Sequence, residues 1–335
     1  MHEALLYEKK ENNSVRCNLC SHRCIIADNK TGICGVRMNR GGILYAETYG
    51  KVSSEAVDPV EKKPLYHFLP GTNVYSIGGI GCNFKCSHCQ NWEISQCTTA
   101  GFLHTLSPQK GVMKAKDYNC KSIAWTYNEP TIWHEYAMDM GNLAQKEGLG
   151  TIYVTNGYMT EDAVSELSGM LDAFRVDIKA FTEEFYHKVC KAKLQPVLDA
   201  TIKAKECGMH IETVTLLIPG LNDSLDEIKN LVNWIYENLG EDTPVHFTRF
   251  HPDYNLTDIG PTPVETLEKA YMLAKEAGIK YPYLGNVSSH PFSNTWCHKC
   301  GSLLIERYGF TQKKVNLSGG LCEKCGAKIP IVSSV

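Results

Sequence analysis

Three cysteines, Cys82, Cys86 and Cys89, lie close together in the segment Gly-Cys-Asn-Phe-Lys-Cys-Ser-His-Cys-Gln-Asn-Trp, residues 81–92. Their C-x3-C-x2-C spacing differs from that of zinc knuckles, which come as pairs of C-x2-C and supply four ligands to one closed tetrahedral ion. A cubane iron–sulfur cluster usually takes four cysteines, one for each iron. A loop with three thiolates would leave one iron open, and an open iron can hold a substrate or a cofactor.

Apart from its cysteines, the chain has the composition of an ordinary globular protein. Its 335 residues are 43% hydrophobic and 21% charged, which fits one large domain with appendages. A pI near 6.5 argues against the broad basic surface of a nucleic-acid-binding protein. The N-terminus lacks the pattern of a signal peptide, and no apolar run approaches the ~18 residues of a membrane span. We therefore expect a cytoplasmic protein that binds neither nucleic acid nor a membrane.

Fifteen cysteines are many for such a chain, and their odd number argues against a disulfide framework. Four of them lie between residues 17 and 34 and could close around one metal ion or one small cluster: Cys17, Cys20, Cys24 and Cys34. This spacing suits zinc or an iron–sulfur cluster, and both stay open, as do two pairs of unligated buried thiols. Cys120, Cys190 and Cys207 lie in apolar surroundings and are predicted to be inert core residues.

Four further cysteines near the C-terminus form two C-x2-C-Gly knuckles, namely Cys297, Cys300, Cys322 and Cys325. Paired knuckles of this kind predict a zinc ribbon, with rubredoxin-type iron as the rival metal. The glycine after each knuckle permits a left-handed turn that lets backbone amides face the thiolates. We therefore predict a zinc-ribbon-like module with zinc or iron in its four-cysteine site.

Strand-like and helix-like segments alternate from residue 74 onward. Strands are predicted at 74–80, 122–126, 150–155, 173–178, 210–218 and 245–250, with an edge at 280–284, and helices near 107–119, 131–147, 160–170, 193–207, 223–238 and 262–278. The alternation predicts a parallel sheet with helical crossovers. Six units in a span shorter than the ~250 residues of a full barrel predict a partial (β/α)6 TIM-type barrel. A doubly wound open sheet is the alternative, although no Gly-x-Gly-x-x-Gly motif follows a strand.

The predicted organisation has three parts. Residues 1–73 form a Cys-rich segment with an arm, residues 74–290 the partial barrel, and residues 291–335 the ribbon-like module. Within the first part, residues 41–70 are predicted to be an exposed connecting arm, because the prolines Pro64 and Pro70 disfavour a regular helix there.

The loop at residues 81–92 resembles the signature of the radical S-adenosylmethionine (radical SAM) superfamily. In that family the three cysteines hold a [4Fe–4S] cluster whose open iron chelates S-adenosylmethionine, and one electron then releases methionine and a 5′-deoxyadenosyl radical that abstracts hydrogen. The resemblance implies both cofactors here, with the cluster on Cys82, Cys86 and Cys89. His88 stands where the family usually has a benzenoid aromatic, and its flat ring is expected to pack on the adenine.

The resemblance extends to the segment after the second predicted strand. Asn128 and Glu129, before Pro130, occupy the place of a Gly-Gly-Glu-Pro-like motif whose polar groups bind the ammonium of S-adenosylmethionine. A carboxylate beside an ammonium makes a charge-assisted hydrogen bond. The same residues also suit a helix start, because Asn caps a helix and Pro favours its first position.

Three later strand ends carry further residues of this kind. Thr155 and Asn156, then Asp177 and Lys179, resemble segments of pyruvate formate-lyase activating enzymes that help hold the methionyl carboxylate. An ordinary turn and a structural salt bridge are the alternative interpretations. His251 matches a strand-end histidine near the nucleoside. The family's cation-binding acid before Thr-Asn-Gly is replaced by Val154, which argues against a bound monovalent cation.

Nearly the whole chain resembles the radical SAM member of the AmmeMemoRadiSam system, a relative of the pyruvate formate-lyase activating enzymes. That resemblance is carried by residues 17–24, 61–68, 81–95 and 297–326, the last of which include 305–309. It implies AMMECR-type and Memo-family partners, a one-electron donor such as ferredoxin or flavodoxin, and hydrogen abstraction from a protein glycyl residue or a small molecule. An iron–sulfur electron-transfer protein and a zinc-finger-type binding protein are the alternatives. An electron-transfer protein needs neither the barrel nor Asn128-Glu129, and the near-neutral charge disfavours nucleic-acid binding. The sequence does not identify the substrate.

Overall fold

An eight-stranded sheet forms the centre of the protein in a computed structural model that describes residues 1–97 and 102–335. Its strands are β1 (Ser54–Pro59), β2 (Asn73–Gly78), β3 (Ser122–Trp125), β4 (Gly150–Thr155), β5 (Ala173–Asp177), β6 (His210–Leu217), β7 (Val245–Arg249) and β8 (Pro282–Gly285). Strand β1 pairs antiparallel with β2, and β2 to β8 are parallel in chain order. Because the order never reverses, all right-handed crossovers fall on one face. This order fits a partial barrel and excludes a doubly wound sheet.

Helices connect the parallel strands on that face. They are α1 (Pro108–Asp117), α2 (His134–Lys146), α3 (Glu161–Glu166), α4 (Gln195–Glu206), α5 (Leu225–Leu239) and α6 (Val264–Glu276), with short helical turns at Val60–Lys62, Trp92–Ser95, Pro130–Trp133, Glu183–Phe185, Tyr186–Cys190 and Pro291–Ser293. Ser107, Thr160 and Ser224 accept backbone N–H bonds at the starts of α1, α3 and α5. The six predicted helices, the six strands and the edge strand are thus confirmed, with ends shifted by a few residues.

The first 53 residues form two small antiparallel sheets that lie against the barrel. Their strands are His2–Glu3, Tyr7–Lys9, Val15–Cys17, Ile25–Ile26, Arg37–Arg40 and Ile43–Ala46, while Lys51–Val52 pairs with His104–Thr105. Cys20 forms a bridge with Met159, and the Thr160 backbone N–H donates to the Leu19 carbonyl at 3.2 Å. The Cys-rich segment is therefore fixed beside the loop that follows β4.

The prediction of an exposed arm at residues 41–70 is wrong. This stretch contains Ile43–Ala46 and the sheet strand β1, and Leu65, Tyr66 and Phe68 are buried. The buried Glu212 carboxylate accepts the backbone N–H groups of Tyr66 and His67 at 2.9 and 2.8 Å. The prolines prevent a helix but not burial, because side chains of β6 satisfy the irregular backbone at one end of the barrel.

The C-terminal module contains the strands Thr295–Trp296, Leu303–Tyr308, Thr311–Lys314, Leu317–Ser318 and Leu321–Cys322. It packs against the barrel through Arg307, whose Nη2 donates to the Tyr66 carbonyl at 3.0 Å and whose guanidinium lies over the Tyr66 ring. Gln312 fits against Gly71, where an added Cβ would lie 1.9 Å from its Nε2. Within residues 1–97 and 102–335, no helix is long and apolar enough to cross a bilayer.

Candidate functional site

A cavity of about 590 Å³, here called the barrel cavity, lies inside the curved sheet. Residues 81–92, here called the cluster loop, form one part of its wall. The ends of β3 to β8 continue that wall through residues such as Thr126, Asn156, Thr248 and Asn286. The segment from Glu61 to Tyr66 and Phe310 of the C-terminal module form the rest. The carboxyl ends of parallel strands are where barrel enzymes place their chemistry.

The three cysteines of the loop all line the barrel cavity. Polar hydrogens surround their sulfurs: Cys82 Sγ accepts from the Phe84 backbone N–H at 3.3 Å and from Asn156 Nδ2 at 3.8 Å. Cys89 Sγ lies 3.1 Å from Ser95 Oγ. Hydrogen bonds to cysteine sulfurs tune the potential of an iron–sulfur cluster. The loop therefore offers three thiols to the cavity in a setting that suits thiolate ligands.

These residues fit an iron–sulfur cluster better than a single ion. In residues 1–97 and 102–335, only the C-terminal cysteines have three or more metal-ligating atoms all within 4.8 Å of one another. The thiols at positions 82, 86 and 89 are more widely spaced, as expected where each binds a different iron. The donor set and the adjoining cavity leave room for a fourth iron and for a ligand on it.

Cys190 lies directly behind the cluster loop. The Lys85 backbone N–H donates to the Cys190 carbonyl at 3.0 Å, and a hydrogen bond from the Cys190 thiol lowers the pKa of Cys86. The prediction of an inert core residue therefore misses this contact. Cys190 ends the short π-helix Tyr186–Cys190, an irregularity that often marks functional sites.

His88 is 5% exposed and lines the barrel cavity. Burial, together with the nearby Lys179 ammonium, lowers the pKa of His88 to about 3, so the ring is neutral at physiological pH. Its Nδ1 has no hydrogen-bond partner within the described residues. A flat neutral ring with an unpaired nitrogen is compatible with packing against a bound base.

Glu129 is buried at the cavity wall and is largely satisfied by protein groups. Its carboxylate accepts from the Thr131 N–H and hydroxyl, from the Thr155 hydroxyl at 2.6 Å, and from the Asn156 N–H at 2.8 Å. Three of these bonds reach Oε1 and only one reaches Oε2. Burial raises the pKa of Glu129 although these hydrogen bonds oppose the shift. Oε2 therefore retains more free acceptor capacity than Oε1, which accepts from Thr131 at the helix start and from Thr155.

Asn128 joins the end of β2 to the cluster loop. Its Oδ1 accepts from the Gly79 N–H and its Nδ2 donates to the Gly81 carbonyl, both at 3.0 Å. Asn128 also lines the cavity. Both ends of its amide already have protein partners, so its observed contacts position the loop.

Asn156 connects β4 to the cluster loop, while Thr155 lies behind it. The Asn156 amide donates to Asn83 Oδ1 at 2.8 Å as well as to Cys82. Thr155 is 1% exposed, and its hydroxyl is held by Glu129. Asn156 is thus on the cavity wall, and Thr155 supports that wall from behind.

Arg175 and Asp177 line the cavity from β5, and Lys179 lines it from just after that strand. Lys179 Nζ lies 3.2 Å from Asp177 Oδ2, and Arg175 donates to Asp177 Oδ1. Against the effect of burial, Arg175 and Lys179 hold the pKa of Asp177 below its usual value. Alternation along the strand places Arg175 and Asp177 on one face, and Lys179 reaches Asp177 from just past the end of β5. The arrangement provides fixed charge of both signs beside the cysteines.

His251 lies at the exposed rim, away from the buried wall. Its Nε2 is 2.7 Å from Gln90 Nε2, and Gln90 itself lines the cavity. Trp92 stacks on Tyr254 in the same region, with ring centroids 5.1 Å apart. His251 therefore orders the mouth of the cavity through Gln90.

Lys63, Tyr127 and Arg175 line the cavity, although the sequence interpretation did not single them out. Lys63 pairs with Asp58 at 2.7 Å, and its ammonium lies 4.6 Å from the centre of the Tyr127 ring. The Tyr127 hydroxyl donates to Asp58 at 2.9 Å. Arg175 could have been found from its position two residues before Asp177 on a predicted strand. Lys63 carries no such signal, because its segment reaches the cavity only through tertiary packing.

The two terminal groups of cysteines differ in spacing. Cys297 Sγ lies 3.6 Å from Cys325 Sγ, and Cys300 Sγ lies 3.7 Å from Cys322 Sγ. Tetrahedral zinc with Zn–S bonds of about 2.3 Å would hold its sulfurs about 3.8 Å apart. Gly301 and Gly326 both have φ of +69°, the left-handed turn expected after each knuckle. This set could bind one metal ion, whereas the N-terminal set is wider and lines a cavity of its own.

Comparison with known proteins identifies relatives of this chain. The model of the radical SAM superfamily matches residues 76–235. "Uncharacterized protein MJ0808" of Methanocaldococcus jannaschii is 47% identical over 335 residues, covering 99% of this chain and 100% of that protein. "Putative glycyl-radical enzyme activating enzyme MJ1632" of the same organism is 30% identical over 217 residues, covering 62% of this chain and 77% of that protein.

Solved structures show the same fold at low sequence identity. A radical SAM methyltransferase from Sphaerobacter thermophilus superposes with a TM-score of 0.52 at 18% identity, covering 70% of this chain and 71% of that one. Streptococcus suis SuiB bound to S-adenosylmethionine gives a TM-score of 0.51 at 12% identity, covering 62% and 49% of the two chains. At such identities the likeness concerns the fold alone.

Proposed function

This chain belongs to the radical SAM superfamily, and on that premise we propose that it cleaves S-adenosylmethionine reductively to abstract hydrogen from a substrate. The observation that carries the proposal is that Cys82, Cys86 and Cys89 open onto one cavity together with polar residues at the ends of five strands, β3, β4, β5, β7 and β8. When bound, the [4Fe–4S] cluster and S-adenosylmethionine would supply the electron and the 5′-deoxyadenosyl radical. Enzymes of this superfamily need a one-electron donor, for which a ferredoxin or a flavodoxin is proposed.

The cavity residues have distinct roles in this proposal. Glu129 Oε2 accepts a hydrogen bond from the ammonium group of S-adenosylmethionine. The fixed charges of Lys179 and Asp177 face the carboxylate of its methionyl part. His88 provides the flat surface for the adenine. The buried walls keep solvent away from the site, which limits side reactions of a reactive intermediate. Asn128 and Thr155 act indirectly, because their observed partners are the cluster loop and Glu129.

Activation of a glycyl-radical enzyme is the first candidate for the overall reaction, because a relative at 30% identity bears that name. The exposed rim with Gln90, Trp92 and His251 would then receive a protein loop. A small-molecule substrate is the second candidate, favoured by Phe310 and Lys63, which help enclose the cavity. AMMECR-type and Memo-family partners are part of this second proposal and come from the sequence resemblance.

Anaerobic reconstitution followed by dithionite reduction tests the proposed chemistry. The protein should convert S-adenosylmethionine to 5′-deoxyadenosine and methionine. Cys86→Ala should abolish the conversion while leaving the metal of the C-terminal cysteines in place. Cys207→Ala serves as the control, because Cys207 lies outside the three groups of closely spaced cysteines. Full cleavage activity in Cys86→Ala would refute the cluster assignment.

A further inference from the structure

Four cysteines of the N-terminal segment line one small cavity, here called the cysteine chamber: Cys17, Cys20, Cys24 and Cys34. Its remaining wall is largely apolar, with Leu19, Ile26, Ile33 and Ile132. Cys17 and Cys34 are buried, and Cys20 and Cys24 are half-buried. Four thiols converging on an apolar space are arranged as a ligand set rather than as independent core residues.

The spacing of these thiols distinguishes a cluster from a single ion. The C-terminal cysteines have sulfurs 3.6–3.7 Å apart, which matches one tetrahedral metal. No three of the chamber's thiols approach one another within 4.8 Å, judged over the residues that the structure describes. The same chain thus contains a compact four-cysteine set and a wider one. A wider set is expected where each cysteine binds a different iron.

Arg37 provides an independent indication of an anionic ligand. It lines the chamber and is 1% exposed. Its Nη1 and Nη2 bind Glu135 at 2.9 and 2.8 Å, but its Nε has no partner within the described residues. A buried N–H donor without an acceptor is costly. A sulfide or thiolate of a bound cluster would accept from it.

The chamber adjoins the cluster loop of the barrel. The Gly81 backbone packs so closely on Cys34 that an added Cβ would lie 2.7 Å from the Cys34 carbonyl oxygen. His22, also on the chamber wall, bonds the Asn83 carbonyl at 2.7 Å. Gly81 and Asn83 flank Cys82, so both contacts join the chamber to residues next to a cysteine of the barrel site.

We propose that the cysteine chamber binds a second [4Fe–4S] cluster, ligated by Cys17, Cys20, Cys24 and Cys34, which relays electrons to the cluster at Cys82, Cys86 and Cys89. The relay role rests on the proposed function. An external one-electron carrier reduces the second cluster by one electron, and that electron then passes to the cluster of the barrel. No proton moves and no covalent bond changes in this transfer.

Metal analysis of the full-length protein, reconstituted anaerobically with iron and sulfide, tests the site itself. We expect about eight irons and eight sulfides per chain, together with one metal in the C-terminal four-cysteine site. Cys20→Ala/Cys24→Ala should lose about half of the iron and sulfide, and Cys120→Ala, which changes a buried cysteine outside every ligand set, should lose none. About four irons in the wild type, or zinc bound by the N-terminal cysteines, would overturn the proposal.

Electron paramagnetic resonance of the reduced wild type avoids dependence on variant folding. Two neighbouring reduced clusters should give two spins per chain with spectra broadened by mutual coupling. A single unbroadened spin would refute the second cluster. Cleavage of S-adenosylmethionine by a protein with four irons would refute this inference alone, whereas eight irons without cleavage would refute only the proposed function.

Discussion

The backbone N–H of Asn156 donates to Glu129 Oε2 at 2.8 Å, which links the end of β4 to the segment after β3. Asn156 in turn donates to Cys82 Sγ and to Asn83. Through this chain of contacts, the Glu129 carboxylate is linked to the sulfur of Cys82 in the proposed cluster site. The resemblance to an ammonium-binding motif and the observed positioning contacts are therefore compatible.

Replacement of the Glu129 carboxylate should separate its proposed binding of S-adenosylmethionine from its contacts with Asn156 and the cluster loop. In Glu129→Gln an amide N–H₂ must face either the Asn156 N–H or the hydroxyls of Thr131 and Thr155. We expect S-adenosylmethionine to bind at least tenfold more weakly, since hydrogen bonds to charged groups are worth about 1.5–3 kcal/mol. Iron content should stay unchanged, while the midpoint potential of the barrel cluster shifts.

Equilibrium binding, iron analysis and a redox titration measure these effects, with the exposed Glu184→Gln as the matched control. Loss of iron in proportion to the loss of binding would instead make Glu129 a purely structural residue.

Gly81 should tolerate no side chain, because it combines a φ of +82° with contact on Cys34. Gly148 has a similar φ of +68° but nothing within 4 Å of an added Cβ. Gly148→Ala should cost only the strain of a left-handed alanine, about 1–2 kcal/mol. Gly81→Ala should lower the thermal midpoint further and reduce iron incorporation. Equal thermal midpoints and iron contents in the two variants would show that the backbone at Cys34 shifts at little cost to accommodate the added Cβ.

The ion pair between Arg37 and Glu135 should be costly to break from one side. Both side chains are about 2% exposed or less, and the pair is bidentate. Arg37→Met leaves a buried carboxylate unpaired and should destabilise the protein by about 3–5 kcal/mol. Arg37→Met/Glu135→Leu should recover most of that loss, as measured by chemical unfolding. If the double variant is no more stable than the single one, the penalty does not come from the unpaired charge.

His67 should make the fold sensitive to mild acid. Burial lowers the pKa of His67 to about 3, and the ring lies between the Pro330 carbonyl and the Tyr283 hydroxyl. Between pH 6.5 and 3 the unfolded chain binds a proton at this residue and the folded chain does not, so stability falls as pH falls through that window. From pH 7.5 to 5.5 this effect amounts to about 1.4 kcal/mol.

Thermal midpoints at pH 7.5 and 5.5 measure this loss of stability. His67→Gln, which can keep a donor and an acceptor, should lose less stability on acidification than the wild type. The exposed His187→Gln should behave like the wild type. An unchanged pH dependence in His67→Gln would rule out the buried imidazole as its source.

Local sequence patterns predicted much of the fold. The apolar runs of β2 to β8 and the periodic stretches of α1 to α6 are determined by nearby residues, so the parallel sheet was predictable. The segment from Glu61 to Phe68 was not, because its burial depends on Glu212, Tyr283 and Arg307, far along the chain. Its lysine and proline residues locally favour an exposed connection.

The candidate site likewise combines residues whose position was predictable from local sequence with residues whose position was not. Cys82, Cys86 and Cys89 are close in sequence, so their position together on one cavity wall was predictable, as was that of the strand-end residues Asn156 and Asp177. The contact between Gly81 and Cys34, the thiol of Cys190 behind Cys86, and Lys63 beside Tyr127 join distant segments. No short-range pattern encodes such contacts.

The hairpin formed by Leu303–Tyr308 and Thr311–Lys314 bears Phe310 at its tip, so a module outside the sheet supplies part of the wall of the barrel cavity. Substitutions in this surface hairpin can therefore change the shape of the barrel cavity without disturbing the strands that line the proposed cofactor site. Homologues with identical cluster loops could diverge in substrate choice through their last few dozen residues.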